Sequence, residues 1–231
     1  MRIVVFGATG STGRLVVDQA LSAGHDVTAV ARHPEQVAPR SRLVTRAGDV
    51  LDAASLRESC RDADAVVSCI GPRNNLRPGA VMSVGTAHMV AAAEHAGVRR
   101  FVFQSGIGLS DGAELSRANR WLLAALWRPL FAAAIGDKAE GESLLRASAL
   151  DWVIVRPVVL RNAPAAGHFL AGPRAPVALL SALSFADCAA CLLRAVSEPV
   201  WTPGRQSRAL VTGVCMTRAR TSPYHPQRRL A

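Results

Sequence analysis

The residues best suited to chemistry by type and spacing stand near the start of the chain, in Gly7-Ala8-Thr9-Gly10-Ser11-Thr12-Gly13. They follow the apolar run Ile3-Val4-Val5-Phe6 and open a helical pattern from Arg14 to Ala23, with Val16, Val17, Ala20 and Leu21 on one face. A glycine turn between strand and helix lets the backbone come close to a pyrophosphate. The free N–H groups and positive dipole end of the helix then attract its charge. The spacing is GxxGxxG rather than GxGxxG, so its place after a β-branched strand carries the reading. It predicts a dinucleotide site; the alternative is a strand-to-helix turn without a ligand.

Further candidates fall at the ends of later strands. A second strand, Asp26 to Ala31, ends at Arg32, where an NAD site would carry an acid for the ribose hydroxyls. A guanidinium there suits a 2′-phosphate and predicts NADP(H) over NAD, the alternative being an exposed arginine. Asp49, beyond a third strand from Arg42 to Thr45, is placed to accept from an adenine amino group or to make a turn or helix cap. The fourth strand, Asp64 to Cys69, runs into Ile70-Gly71, where a doubly wound sheet lets the middle of the cofactor pass. The fifth, Arg100 to Gln104, delivers Ser105 either to nicotinamide and substrate or to a helix cap.

The elements needed to position these residues alternate strand and helix. A long helix is expected from Ala80 to Ala96, two helices divided near Pro129 between Ala113 and Ala147, and a sixth strand from Trp152 to Val155. Trp121, Leu122, Leu126, Trp127 and Phe131 form apolar faces suited to covering the nicotinamide end or to plain packing or a dimer contact. Ser184-Phe-Ala-Asp187 has capping-box spacing and starts a helix to about Val196, and Ala209 to Thr212 reads as a last strand. The fold class is α/β: one Rossmann-type, doubly wound parallel sheet with helices on both faces. Residues 1–214 make that domain, including a substrate-covering region at about 106–180, and residues 215–231 a basic, disordered tail.

Composition narrows the function. The net charge is +10, but Arg218, Arg220, Arg228 and Arg229 lie in the tail without a balancing acid, and removing it leaves +6. The other basic residues are dispersed and not interleaved with aromatics, so no nucleic-acid partner is expected. Trp121 to Ile135 is the most hydrophobic stretch, yet Arg128 and Pro129 interrupt it short of a membrane span. Five scattered cysteines argue against a disulfide framework, Cys188-Ala-Ala-Cys191 reads as two buried small residues, and no cluster has metal-site spacing. A cytoplasmic protein without a membrane partner is expected, as monomer or homodimer.

Together the glycine turn, Gly48-Asp-Val-Leu-Asp52 and Leu150-Asp-Trp-Val-Ile-Val-Arg-Pro157 resemble the atypical short-chain dehydrogenase/reductases of the NAD(P)H-binding, NmrA-like group. Gly71-Pro-Arg-Asn-Asn-Leu-Arg-Pro78 with Val81-Met-Ser-Val-Gly85 is similar to the corresponding loop of the biliverdin-IXβ reductase, or NADPH-dependent flavin reductase, branch. The resemblance implies cofactor binding by Gly7, Thr9, Gly10, Ser11, Thr12, Gly13, Arg32 and Asp49, with Ser105 beside the nicotinamide. It departs from the group's Tyr-x-x-x-Lys acid: Lys138 holds the lysine place, but Ala134 stands four residues earlier, and the one tyrosine of the chain is Tyr224. Lys138 is also the single lysine against twenty-six arginines, and lysine, unlike arginine, can give up a proton. It reads as a catalytic candidate or as one more surface cation.

Hydride delivery to an ordinary carbonyl builds an alkoxide that needs a placed acid. A flavin, quinone or similar conjugated acceptor spreads the charge and takes its proton from water or a weak donor. The expected function is an NADPH-dependent reductase of such an acceptor, with Ser105 and Lys138 as catalytic residues. The alternatives are a non-catalytic, redox-sensing NmrA-like regulator and an NADP-binding isomerase or cyclase.

Overall fold

The computed structural model describes residues 1–72, 74, 76, 79–110, 115–172 and 182–197, and the backbone of 209–214. The tail from 215 with Tyr224, residues 173–181 and part of the 72–78 loop lie outside the described residues. The strands are β1 (Arg2–Phe6), β2 (Asp26–Ala31), β3 (Leu43–Ala47), β4 (Ala65–Ser68), β5 (Arg100–Gln104) and β6 (Asp151–Pro157), then β7 (Val159–Arg161), β8 (Ala182–Ser184) and β9 (Ala209–Val214). The helices are α1 (Ser11–Ser22), α2 (Ala53–Leu56), α3 (Val81–His95), α4 (Arg117–Leu122), α5 (Arg128–Leu130), α6 (Ala132–Ala147) and α7 (Phe185–Ser197).

Seven strands pair in the order β3-β2-β1-β4-β5-β6-β9, every pair parallel, so all carboxyl ends lie on one edge. The order reverses between β1 and β4, where sheets of this class open a crevice for a ligand. Because helices cover both faces, the strands are apolar on both sides. Ile3 and Val5 join one core with Val16, Val17 and Leu192, while Val4 and Phe6 join another with Met82, Phe103 and Leu145. Helices α1 and α7 pack on the first face, α3 and α6 on the second.

Two local arrangements set the site. Helix α3 has no cap of its own; the buried Asp137 of α6 supplies one, accepting from the Met82 and Ser83 N–H groups at 2.9 Å each and from the Ser83 hydroxyl at 2.6 Å. Lys138 is thereby fixed next to the sheet edge. The apolar segment before it runs α4, a π-helical turn Leu123–Trp127 and α5, broken from α6 at Phe131. Pro129 has no N–H to give the preceding turn, and the widened π turn accommodates that loss.

The helix expected from Arg14 begins at Ser11, within the glycine turn itself. A short parallel pair, β7–β8, forms where no strand is expected. The Ser184–Asp187 box forms: the Asp187 N–H donates to Ser184 Oγ at 2.9 Å. The Asp187 carboxylate also accepts from Ala166 and Gly167 N–H at 3.0 Å each, tying the loop after β7 to α7.

Candidate active site

The first cavity, of about 520 Å³, opens at the carboxyl ends of β1, β2 and β4. Gly7, Thr9, Gly10, Arg32, Asp49, Cys69, Ile70 and Gly71 line it. Gly7 takes φ +76°, and a Cβ on Gly13 would stand 2.1 Å from the Gly7 carbonyl oxygen. Neither place admits a side chain, which keeps the loop's backbone bare toward the cavity. Gly10 N–H donates to Gly7 O at 2.9 Å and Arg14 N–H to Gly10 O at 3.0 Å. The N–H groups of Ser11, Thr12 and Gly13 have no backbone acceptor among the described residues. Such a loop fits a diphosphate. Ser11, the buried Thr12 and Gly13 do not line the cavity, so their side of the turn contributes amides rather than side chains.

Arg32 is exposed at the lip of this cavity and has no hydrogen-bond or ion-pair partner among the described residues. Asp49 does make a turn: its carboxylate accepts from Leu51 N–H at 3.0 Å, while its edge still faces the cavity. Gln36, Val50 and Asn74 join the lining. No spacing marked them, because they come from three separate connections.

The second cavity, about 330 Å³, lies at the ends of β5 and β6 under α5 and α6. Gln104, Ser105, Gly106, Lys138 and Val159 line it, with Trp127, Phe131, Ala134 and Ile135 as its apolar wall. Trp127 and Phe131 meet ring to ring at 5.2 Å. Trp121 and Leu126 do not line this cavity: both are exposed, while Trp127 is half-buried in its wall. Lys138 Nζ reaches the Ser105–Gly106 tip, 3.5 Å from where a Cβ on Gly106 would be. It has no ion pair or hydrogen bond among the described residues. Burial pushes its amine below the ordinary lysine range, with the carboxylates of Glu142 and Asp137 opposing the shift.

Beneath Ser105 sits a pair that no motif announced. Arg156 Nε donates to Glu142 Oε1 at 2.9 Å and its Nη2 to Oε2 at 2.5 Å, both residues buried; Arg146 adds a third contact at 3.1 Å. Burial raises the Glu142 carboxyl, but the Arg156 fork overrides it and, with Arg146, holds it below the ordinary range. The Ser105 hydroxyl and Gln104 Oε1 are buried without a hydrogen-bond partner among the described residues, in residues that line the cavity. Cys188 and Cys191 are both buried in α7 and line neither cavity, and desolvation pushes the Cys188 thiol up.

A doubly wound sheet with a glycine cradle at its switch point defines a Rossmann-type dinucleotide-binding protein. The chain belongs to the NAD(P)H-binding family, whose model matches residues 7–199. It is similar to an uncharacterised chloroplastic protein of Arabidopsis thaliana, 31% identical over 184 residues, which are 74% of this chain and 64% of the relative. The chain thus spans less than two thirds of that relative's length. Its fold matches ChuY, an anaerobilin reductase from Escherichia coli O157:H7, at a TM-score of 0.73 and 22% identity over 96% of this chain and 100% of that one. A short-chain dehydrogenase/reductase from Veillonella parvula, solved in complex with NADP, matches at 0.73 and 18% identity over 93% and 94%.

Proposed function

We propose that the chain is an NADPH-dependent reductase passing hydride to a flavin, quinone or similar conjugated acceptor, with Ser105 and Lys138 at the reacting end. The second cavity carries this reading: it is mainly apolar, its polar side chains are Gln104, Ser105 and Lys138, and no tyrosine occurs among the described residues. A bound nicotinamide supplies the hydride. A delocalised acceptor spreads the charge it receives, so a single amine suffices as the nearby donor, and the protein's main task is alignment. ChuY, which shares the fold, is a reductase. The direct test is NADPH oxidation by purified protein with free flavin or a soluble quinone, against the rate without protein. Tight NADPH binding with no turnover on any such acceptor would favour a redox-sensing regulator.

Lys138→Met is expected to lower kcat/KM by roughly 100-fold and leave NADPH affinity unchanged, because the side chain lines the acceptor cavity and not the first one. The parent rate falls as pH rises through the amine's lowered pKa, and this alkaline limb disappears in the variant. Unchanged pH profiles would remove Lys138 from the chemistry.

Arg32 is proposed to grip the 2′-phosphate. Arg32→Ser is expected to weaken NADPH by roughly 10- to 100-fold, the worth of a charge-assisted contact, while NADH affinity stays level. Titration calorimetry with both nucleotides reads the change; equal losses for the two would mean that Arg32 does not select.

A further inference from the structure

The segment Arg117–Leu130 does more than wall the acceptor cavity. It also carries Trp121, Leu126 and Leu130, which are 65%, 57% and 62% exposed. Three large apolar side chains so uncovered on one short run mark a contact surface. Within the segment the charges have one sign: from Leu115 to Gly136 the sequence contains Arg117, Arg120 and Arg128 and no acid, Asp111 and Glu114 preceding it outside the described residues. The next acid, Asp137, is buried on the N-terminus of α3. Arg117 and Arg120 are exposed and without an ion pair among the described residues, while Arg128 donates to Ser110 O at 2.5 Å.

We propose that this face docks on an anionic lipid bilayer and takes its acceptor, a lipophilic quinone, from the membrane. Tryptophan and leucine would sit at the boundary of headgroups and acyl chains, with the free arginines on headgroup phosphates. Among the described residues no helix is long and apolar enough to cross a membrane, so the segment lies on the surface. A second copy is a poor occupant, because a two-fold interface sets the same patch against itself and would bring Arg117 and Arg120 against their like. The same segment contributes Trp127 to the cavity, Phe131 follows at its end, and Val159 at the cavity rim is 40% exposed. The entrance is therefore apolar and adjoins the docking face. The quinone part rests on the reductase reading; the docking does not.

The test uses the full chain and vesicles of phosphatidylcholine with or without phosphatidylglycerol. The protein is expected to float with the anionic vesicles and not with pure phosphatidylcholine. Trp121→Glu and Leu130→Glu should each weaken the partition about 10-fold or more. Replacing Arg218, Arg220, Arg228 and Arg229 by glutamine should leave most binding in place. With a quinone carried in the vesicles the rate should fall in step for Trp121→Glu, and with a water-soluble quinone it should not change. Binding indifferent to both apolar variants, or abolished by the tail variant alone, would overturn the proposal. So would light scattering that shows a dimer which Trp121→Glu splits, assigning the patch to a second copy. Vesicle binding that persists while no quinone is reduced in solution sinks the reductase reading and leaves the docking standing.

Discussion

Gly13→Ala is expected to abolish measurable NADPH binding while the rest of the sheet still folds. A Cβ there stands 2.1 Å from the Gly7 carbonyl oxygen, 2.8 Å from its carbonyl carbon and 3.0 Å from Ala8 Cα, all backbone atoms that no rotamer change can move aside. The turn must open, and overpacking of this kind costs roughly 1–3 kcal/mol in stability. The larger effect is on the ligand, because displacing the Gly7–Gly13 contact displaces the unpaired amides at the start of α1. An affinity loss of at least about 100-fold corresponds to some 2.7 kcal/mol, the worth of one or two charge-assisted hydrogen bonds. Gly136→Ala serves as control: nothing lies within 4 Å of its Cβ, and alanine in the interior of α6 should stabilise by about 0.5–1 kcal/mol. Calorimetric titration and thermal denaturation on the two variants separate the site from the fold. Parent-like affinity in Gly13→Ala would mean that the turn is not a phosphate cradle.

The cradle was legible because its cause is local. Seven consecutive residues, preceded by a β-branched run, contain the whole instruction for strand, turn and helix, and β2 and β5 fall at the boundaries that the apolar runs marked, Asp26–Ala31 and Arg100–Gln104. What escaped is what depends on residues far apart in the chain. The cap on α3 comes from Asp137, 55 positions beyond Met82, and Asp137 in sequence is one more acid on a mixed helix. The β7–β8 pair is three residues on each side, Val159–Arg161 with Ala182–Ser184, too short for a period to show. Trp121 and Trp127 form one apolar set in sequence, yet six helical positions put them on different faces, one exposed and one in the cavity wall. Arg156 lies just beyond the expected sixth strand, Trp152 to Val155; nothing on either side pointed to Glu142, fourteen residues back on another element.

That last pair carries the second large effect. Glu142→Ala is expected to destabilise the protein by roughly 3–5 kcal/mol, since removing one partner leaves the buried Arg156 guanidinium uncompensated. For a domain of this size such a loss lowers Tm by roughly 10 °C or more. Glu142→Leu combined with Arg156→Met should recover much of it, because replacing both charges removes the desolvation cost together with the attraction. The pH dependence follows from the folded-state carboxyl lying below its ordinary value of 4.5. Burial alone would have raised it; the Arg156 fork reverses the sign. The pair's contribution is therefore fully present above the unfolded pKa and is lost as pH falls through the lower folded one. Urea midpoints of parent and Glu142→Ala should differ most near neutrality and converge below about pH 4. A difference that stays constant into acid would show that the carboxylate's charge is not what matters, and that Glu142 acts through packing. The same variant tests the site above it: the Glu142 carboxylate opposes the lowering of the Lys138 amine. Loss of the carboxylate should therefore lower kcat more than it raises the KM for NADPH, whose cavity lies across β4.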